Sequence, residues 1–346
     1  MIKYLGSKRT LLPVLKSLLQ ASGARTAIDL FTGSTRVAVA MKQIGMQVIA
    51  VDSASYSEVL SKTFIEINGT PKMQAELEDQ IHYLRNIPSE PGYFTEVFCK
   101  KARFFRPANG ERIDSIRERI ESDYQGSWLY HPLLASLLIA ADKVDSTTGV
   151  QMAYLKNWSR RSGAQLDLQV PQLLRGSGTA LRADANEIVK ELPQVDIAYL
   201  DPPYNQHRYF GNYHIWETLI RWDKPDYYGV ANKRLDTRSD QNKSAFNSKK
   251  TMPAALSDVI SNLKAETLIL SYNNESWLSR KDLIDICSGY EKVEILDFDS
   301  KRYVGSQIGG YNKSGELVGR PGAARNLEHI VLAGSKESVA KLRDSL

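Results

Sequence analysis

The chain has 346 residues, 42% hydrophobic and 25% charged, the balance of an ordinary globular protein and enough length for one large domain or two unequal ones. Its 45 Lys and Arg against 40 Asp and Glu leave a formal net charge of only +5, so total charge singles out no polyanionic partner and the distribution of cations must carry that argument. Two cysteines, Cys99 and Cys287, exclude a disulfide framework, the apolar run Pro132 to Ala141 is too short to span a bilayer, and Met1 to Gly6 lacks the apolar core of a signal peptide, so a reducing cytoplasm and no membrane partner are expected.

In chain order, Lys3-Tyr4-Leu5-Gly6-Ser7-Lys8-Arg9 sets three cations and a ring around a glycine, ahead of an apolar helix over Leu11 to Leu19. Taken alone it reads as a solvated start. Thr26 to Asp29 then reads as a strand closing on a carboxylate, followed by the turn Phe31-Thr32-Gly33-Ser34-Thr35 and a helix over Arg36 to Ile44. Strand, glycine turn and helix amino terminus make a ligand cradle. The next strand, Gln47 to Asp52, ends in a second acid about 20 residues after the turn, where a carboxylate grips ribose hydroxyls in nucleotide-binding folds. An ordinary βαβ unit with solvated acids at its strand ends would look much the same.

From Pro71 to about Gly178 the βα alternation gives way to helical patterns over Met73 to Leu84, Gly110 to Ile120 and Leu133 to Val144. Rings alternate with cations in Phe98 to Arg106 (Lys100, Lys101, Arg103, Arg106) and in Tyr154 to Arg161 (Lys156, Arg160, Arg161). Such a mixture suits a surface that neutralises phosphates and stacks on bases, or else a core of rings with a solvated cationic rim. The alternation resumes with the strand Thr179 to Asp184, a helix over Ala185 to Leu192, and an apolar strand from Val195 that runs into Asp201-Pro202-Pro203-Tyr204. Two prolines cannot donate to a ladder, so they force the backbone out of the sheet and leave the Asp201 carboxylate at its carboxyl edge, where open α/β sheets bind ligands. Tyr204 adds a flat face suited to a nucleobase.

A polar and aromatic stretch, Asn205 to His214, contains Arg208 and leads into a helix over Ile215 to Trp222. Residues 223–250 read as a long polar loop holding Lys224, Lys233, Arg234, Arg238, Lys243, Lys249 and Lys250. A helix over Pro253 to Lys264, the strand Thr267 to Tyr272, a helix over Trp277 to Cys287, and the strands Val293 to Phe298 and Leu327 to Ala333 complete the pattern. A basic, glycine-rich connection with Lys301, Arg302, Lys313, Arg320 and Arg325 joins the last two.

The ordered set Lys3 to Lys8, Asp29 to Ser34, Asp52 and Asp201 to Tyr204 resembles the alpha group of adenine-specific DNA methyltransferases, the Dam-type enzymes, which use S-adenosylmethionine. The resemblance implies a Rossmann-like α/β methyltransferase sheet, mostly parallel, of seven strands with the last antiparallel, formed by residues 1–70 and 179–346. Residues 71–178 would be an inserted helical target-recognition domain. By the same resemblance, Phe31 and Gly33 match the cofactor turn and Asp29 lies near the methionine moiety. Asp52 meets the ribose hydroxyls and Asp184 the cofactor adenine, while Tyr4 and Lys8 belong to the motif that closes over the cofactor. Asp201, Pro202, Pro203 and Tyr204 match the catalytic motif, with Asp201 also beside the cofactor. Two departures stand out: Thr35, followed by Arg36, where the family commonly has a second glycine, and Tyr4 where it often has tryptophan.

The expected function is therefore methylation of the exocyclic amine of an adenine flipped out of duplex DNA, with no metal, in the manner of a modification enzyme whose cognate restriction endonuclease acts separately. Lys100, Lys101, Arg103, Arg106, Lys156, Arg160, Arg161, Arg208, Lys233 and Arg234 are the candidate DNA contacts, together with the cations of the late connection. Methylation of cytosine amine, RNA or a protein amide, and an inactive DNA-binding relative, are the alternatives. A nicotinamide oxidoreductase fits poorly, since Phe31 to Arg36 is not Gly-x-Gly-x-x-Gly.

Overall fold

Seven strands build a mostly parallel sheet: β1 (Thr26–Asp29), β2 (Gln47–Asp52), β3 (Gly178–Arg182), β4 (Val195–Leu200), β5 (Ala265–Asn273), β6 (Lys292–Lys301) and β7 (Arg325–Gly334). The computed structural model describes residues 1–204, 206, 208–239, 242–301, 310–311, 317–319 and 325–346, without the side chains of residues 300–301, 310–311, 317–319 and 325–326. The cations of the late connection lie outside the described side chains. The chain divides into two compact units, the first of residues 1–4, 32–183 and 208–243, the second of residues 5–31, 184–207 and 244–346. The insertion expected over residues 71–178 falls wholly inside the first unit, together with residues 32–70.

In the second unit β1 pairs in parallel with β4, and β4 with β5, while β7 runs antiparallel to both β5 and β6. β4 is buried at every position except Asp196, and Leu268, Ile269 and Leu270 of β5 are fully buried, as expected of parallel strands covered on both faces. The parallel registers bring the carboxyl ends of β1, β4 and β5 to one edge of the sheet. Because β7 runs the other way, it is its beginning that reaches this edge, with Glu328 opposite Asn273. The β4 strand stops at Leu200, directly before Asp201 and the two prolines.

In the first unit β2 and β3 pair in parallel, with Asp52 opposite Arg182. The helices over Arg36–Ile44, Pro71–Arg85, Pro107–Tyr124 and Tyr130–Val144 agree in place with the periodicity of the sequence, the third and fourth starting three residues earlier than it suggests. Pro71 and Pro107 each occupy a first helical turn, where a missing N–H is harmless. Tyr130–Val144 is buried nearly all round, so it forms the core of this unit. Two π-helical turns, Lys62–Glu66 and Thr95–Lys100, have no periodic signature and were not anticipated. Phe94, Phe98, Phe104 and Phe105 are all buried against one another. The rings of the first ring-and-cation run are therefore core, and only its cations remain for a partner.

The polar segment 223–250 is more structured than its composition suggests. Tyr227–Tyr228 and Lys233–Arg234 form a short antiparallel hairpin, and in the second unit Phe246 is buried within a single helical turn. No helix among the described residues is long and apolar enough to cross a membrane.

Candidate functional site

The carboxylate that ends β4 lies in a small charged cluster of the second unit. Lys8 Nζ is 3.0 Å from Asp201 Oδ1 and 3.6 Å from Glu328 Oε2, and it lies 5.7 Å from the centroid of the Tyr204 ring. Lys8 is buried, and the Asp201 and Glu328 side chains keep only 19% and 12% of their exposure. Burial pushes the Asp201 carboxyl up to about 6, Lys8 pulling against that shift and Glu328 adding to it. Burial also disfavours the Lys8 ammonium, but Asp201, Tyr204 and Glu328 outweigh it and hold its pKa well above the ordinary lysine range. The Tyr204 ring packs edge-on against Tyr272 at 5.2 Å, and burial raises its phenol pKa. Carboxylate, ammonium and ring are thus fixed together at the sheet edge, where a planar amine could donate to Asp201.

Asp29 ends β1 at this edge and is buried. Phe31 packs edge-on against Phe246 at 5.0 Å. Asp184 is exposed and caps the helix Ala185–Ile188, accepting the Asn186 N–H at 2.9 Å.

In the first unit the glycine turn is tied to the second strand-end acid. Asp52 Oδ2 accepts the Gly33 N–H at 2.7 Å and Oδ1 accepts the Ala54 N–H at 2.9 Å. Both carboxylate oxygens thus already accept backbone N–H groups. Burial raises the Asp52 pKa, while the N–H groups of Ala54 and Gly33 hold it down. Gly33 has φ +50°, and a Cβ there would meet Tyr4 Cε1 at 2.8 Å. Tyr4 in turn stacks on Tyr213 at 5.0 Å and on Tyr209 at 5.2 Å. Thr35, standing where the resemblance expects glycine, adopts the left-handed conformation with φ 64°. A β-branched residue is strained there. Its N–H bond to the Thr32 carbonyl at 2.7 Å and its hydroxyl contact with Ser61 at 3.2 Å hold it in place.

The cations expected to meet DNA separate into four groups. Arg234 is buried, with guanidinium bonds to Asp223 at 2.6 and 2.7 Å and to Asp236 at 2.8 Å. Arg161 is bonded to the buried Asp145 and to the Thr147 carbonyl. Both therefore belong to the protein's own framework rather than to an open cationic surface. Lys100 and Lys101 are about half exposed but lie within 3.5 and 3.7 Å of Glu96, Lys101 also donating to the Tyr227 hydroxyl, and Lys233 Nζ sits 3.3 Å from Met152 Sδ. Arg103 and Arg106 form the third group: both guanidinium groups rest on Trp158, at 5.0 and 4.6 Å from its centroid, and among the described residues neither has a carboxylate within ion-pair distance. Lys156, Arg160 and Arg208 are exposed. An indole that holds two unneutralised guanidinium groups pre-organises them for phosphate.

A model of the D12 class N6 adenine-specific DNA methyltransferases matches residues 4–286, and the chain belongs to that family. It is 32% identical over 334 residues to the modification methylase StsI of Streptococcus sanguinis, covering 91% of this chain and 50% of that protein. It is 29% identical over 317 residues to the type II methyltransferase M.NlaIII of Neisseria lactamica (87% and 92% covered), and 28% identical over 326 residues to M.FokI of Planomicrobium okeanokoites (87% and 50%). The chain thus spans about half the length of the Streptococcus and Planomicrobium relatives.

Glu328 was missed in the sequence, although a carboxylate ahead of His329 at the start of the apolar strand Leu327 to Ala333 is a signal of its own. Glu217 was missed as well: it is fully buried and accepts the Ser55 N–H at 2.9 Å and the Ser55 hydroxyl at 2.6 Å, three residues after Asp52.

Proposed function

We propose that this chain moves a methyl group from S-adenosylmethionine to the exocyclic amine of an adenine turned out of duplex DNA, as the modification enzyme of a restriction-modification pair whose endonuclease is a separate protein, in the cytoplasm. The observation that carries the reading is the Asp201 carboxylate, held beside Lys8 and Tyr204 just past the end of β4. The relatives' names, modification methylase and type II methyltransferase, support the pairing with an endonuclease.

The chain's own residues suit such a cofactor. Asp52 is held beside the Gly33 turn where ribose hydroxyls would meet it, Tyr4 packs against Gly33 where a Cβ would not fit, and Phe31 and Asp29 flank the same turn in sequence. Asp184 already caps a helix, so its remaining oxygen is the one left for the cofactor adenine. When bound, S-adenosylmethionine supplies a methyl group already activated on a sulfonium. The protein's task is then positioning and electrostatics. The adenine amine is a poor nucleophile because its lone pair is delocalised into the ring. Donating its N–H groups to Asp201 and to a carbonyl of the Pro202-Pro203 turn favours a pyramidal nitrogen with its lone pair aimed at the methyl. A carboxylate cannot strip a neutral aromatic amine, so the proton leaves only after the N–C bond has formed, and Asp201 is placed to receive it. Tyr204 lies against the extruded base, which cannot be reached inside a duplex.

Labelled methyl groups offered to duplex DNA, RNA and protein in parallel test this reading. Label recovered as N6-methyladenine in DNA is expected, with single-molecule sequencing giving the site. Label in RNA or protein alone would overturn it.

Three smaller effects follow. Gly33→Ala forces a side chain into Tyr4 at a positive φ, so S-adenosylmethionine affinity measured by calorimetry should fall about tenfold, with about 1 kcal/mol lost in stability. Replacing Arg103 and Arg106 together by alanine should reduce the slope of log affinity for DNA against log salt by about 2, since each neutralised phosphate contributes about 0.9. The same change at Arg234 should lower the melting temperature instead.

A further inference from the structure

We infer that Glu328 is a positioning residue for the catalytic carboxylate: by sharing the Lys8 ammonium, it keeps the charge of Asp201 available to the substrate amine. This rests on Asp201 being the acceptor of that amine.

With Lys8 Nζ 3.0 Å from Asp201 Oδ1, the two groups alone would form a neutral pair. A carboxylate so neutralised is a weaker acceptor for a third partner. Glu328 Oε2, 3.6 Å from the same nitrogen, makes the trio net negative and draws the ammonium toward a second anion. Asp201 then faces outward with more of its charge. Lys8 is itself a long, rotatable side chain, and anchoring it between two carboxylates fixes the direction in which Asp201 is held.

Glu328 reaches this place by sheet register. It stands opposite Asn273 near the beginning of the antiparallel β7, while Ile330, Val331 and Leu332 further along are fully buried. Its Oε2 is buried and has no hydrogen-bond donor among the described residues, the ion pair with Lys8 being its polar contact there. A carboxylate placed without a donor in a sheet edge is costly, and an apolar residue of similar size would fit the strand as well or better. The role in the cluster accounts for its presence. Around Asp201 the facing groups are the Lys8 ammonium and the Glu328 carboxylate, with the phenols of Tyr199 and Tyr204 and the carboxylate of Asp29 beyond them.

The test is Glu328→Gln in the whole chain, with single-turnover methylation of duplex DNA followed across the acid range. The rate on the neutral plateau should drop about tenfold, or ~1.4 kcal/mol. The acid limb should move to lower pH, because losing a neighbouring anion makes Asp201 easier to ionise, while DNA affinity and melting temperature stay near wild type. Glu328→Asp, which keeps the charge, should restore part of the rate. In a Lys8→Met background the sign should reverse: without the ammonium the two carboxylates repel, so adding Glu328→Gln should raise the remaining rate.

A wild-type rate and an unmoved acid limb in Glu328→Gln overturn the inference, as does the same fractional loss in both backgrounds, which would mark a purely structural role. If Glu328→Gln does not fold, Glu328→Met, whose apolar side chain suits the strand, takes its place in both backgrounds with the same expected signs. An active wild type with an indifferent Glu328→Gln removes this inference alone, whereas a wild type that leaves no N6-methyladenine removes the functional reading on which it rests.

Discussion

Asp201→Asn is expected to lower the single-turnover rate of adenine methylation by about two to three orders of magnitude, the size of effect seen when one pre-organised group at a reacting atom is removed. An amide matches the carboxylate in shape but carries no charge, so the amine loses its anionic acceptor and the departing proton its destination. In the wild type the acid limb of the rate should fall near pH 6, where Asp201 takes up a proton. The linkage has a definite sign. The folded-state pKa of Asp201 lies above its ordinary 3.8, so the native state binds the proton more tightly than the unfolded chain. Its contribution to stability is full below about pH 4 and is lost as pH rises through about 6. The ionised carboxylate therefore burdens the fold at neutral pH. Asp201→Asn should melt no lower than wild type at about pH 8, although it is nearly inactive, as a destabilised functional group predicts. Stopped single-turnover assays and melting curves at two pH values check both statements. Full activity would remove Asp201 from its role, and a lower melting temperature would show that its pairing with Lys8 outweighs its burial.

The residues that could be placed from sequence are those whose constraint is local. Asp201 is exposed to chemistry because Pro202 and Pro203 follow it, and the helix over Arg36–Ile44 begins after a glycine turn and ends at Gly45, so its bounds were legible to the residue. The sheet and the family were legible for the same reason: short motifs in a fixed order. What escaped depends on contacts made far along the chain. Arg234 and Arg103 each follow another residue of a cation-bearing run and precede an apolar one, yet Asp223 and Asp236 on either side enclose the first while Trp158, more than fifty residues away, seats the second. Lys8 belongs to a motif that suggests a cofactor clamp, but its nitrogen lies on Asp201 and Glu328, which come from two later segments of the second unit. The π-helical turns were invisible because a single wide turn leaves no period to read.

The second large effect lies away from the reacting groups. Arg117→Met should destabilise the protein by about 3–5 kcal/mol, because two buried helix-end carbonyls lose their donor, each unsatisfied group costing about 1–3 kcal/mol, and the packing of the buried guanidinium is lost with them. Arg117 has 0% exposure. Its Nε donates to the Leu219 carbonyl at 2.8 Å, Nη2 to the Ile220 carbonyl at 2.9 Å and Nη1 to Glu121 at 2.7 Å. Leu219 and Ile220 belong to the last turn of the helix His214–Arg221, whose carbonyls have no partner within the helix. That helix ends at Trp222 in the left-handed conformation, unusual for so large a residue, and the Arg117 guanidinium lies 5.2 Å from its ring centroid. One side chain thus satisfies the helix end, matches its dipole and secures a strained cap. Lysine should not replace it, since one ammonium cannot reproduce the planar fork. The same helix carries Glu217, which holds Ser55, and is preceded by Tyr213, which stacks on Tyr4. Loosening its end should therefore reach the Gly33 and Asp52 turn as well. A melting temperature lowered on the order of 5–10 °C and weaker S-adenosylmethionine binding by calorimetry in the folded fraction are the expected pair. Lower stability with unchanged cofactor affinity would show that the helix end and the turn move independently.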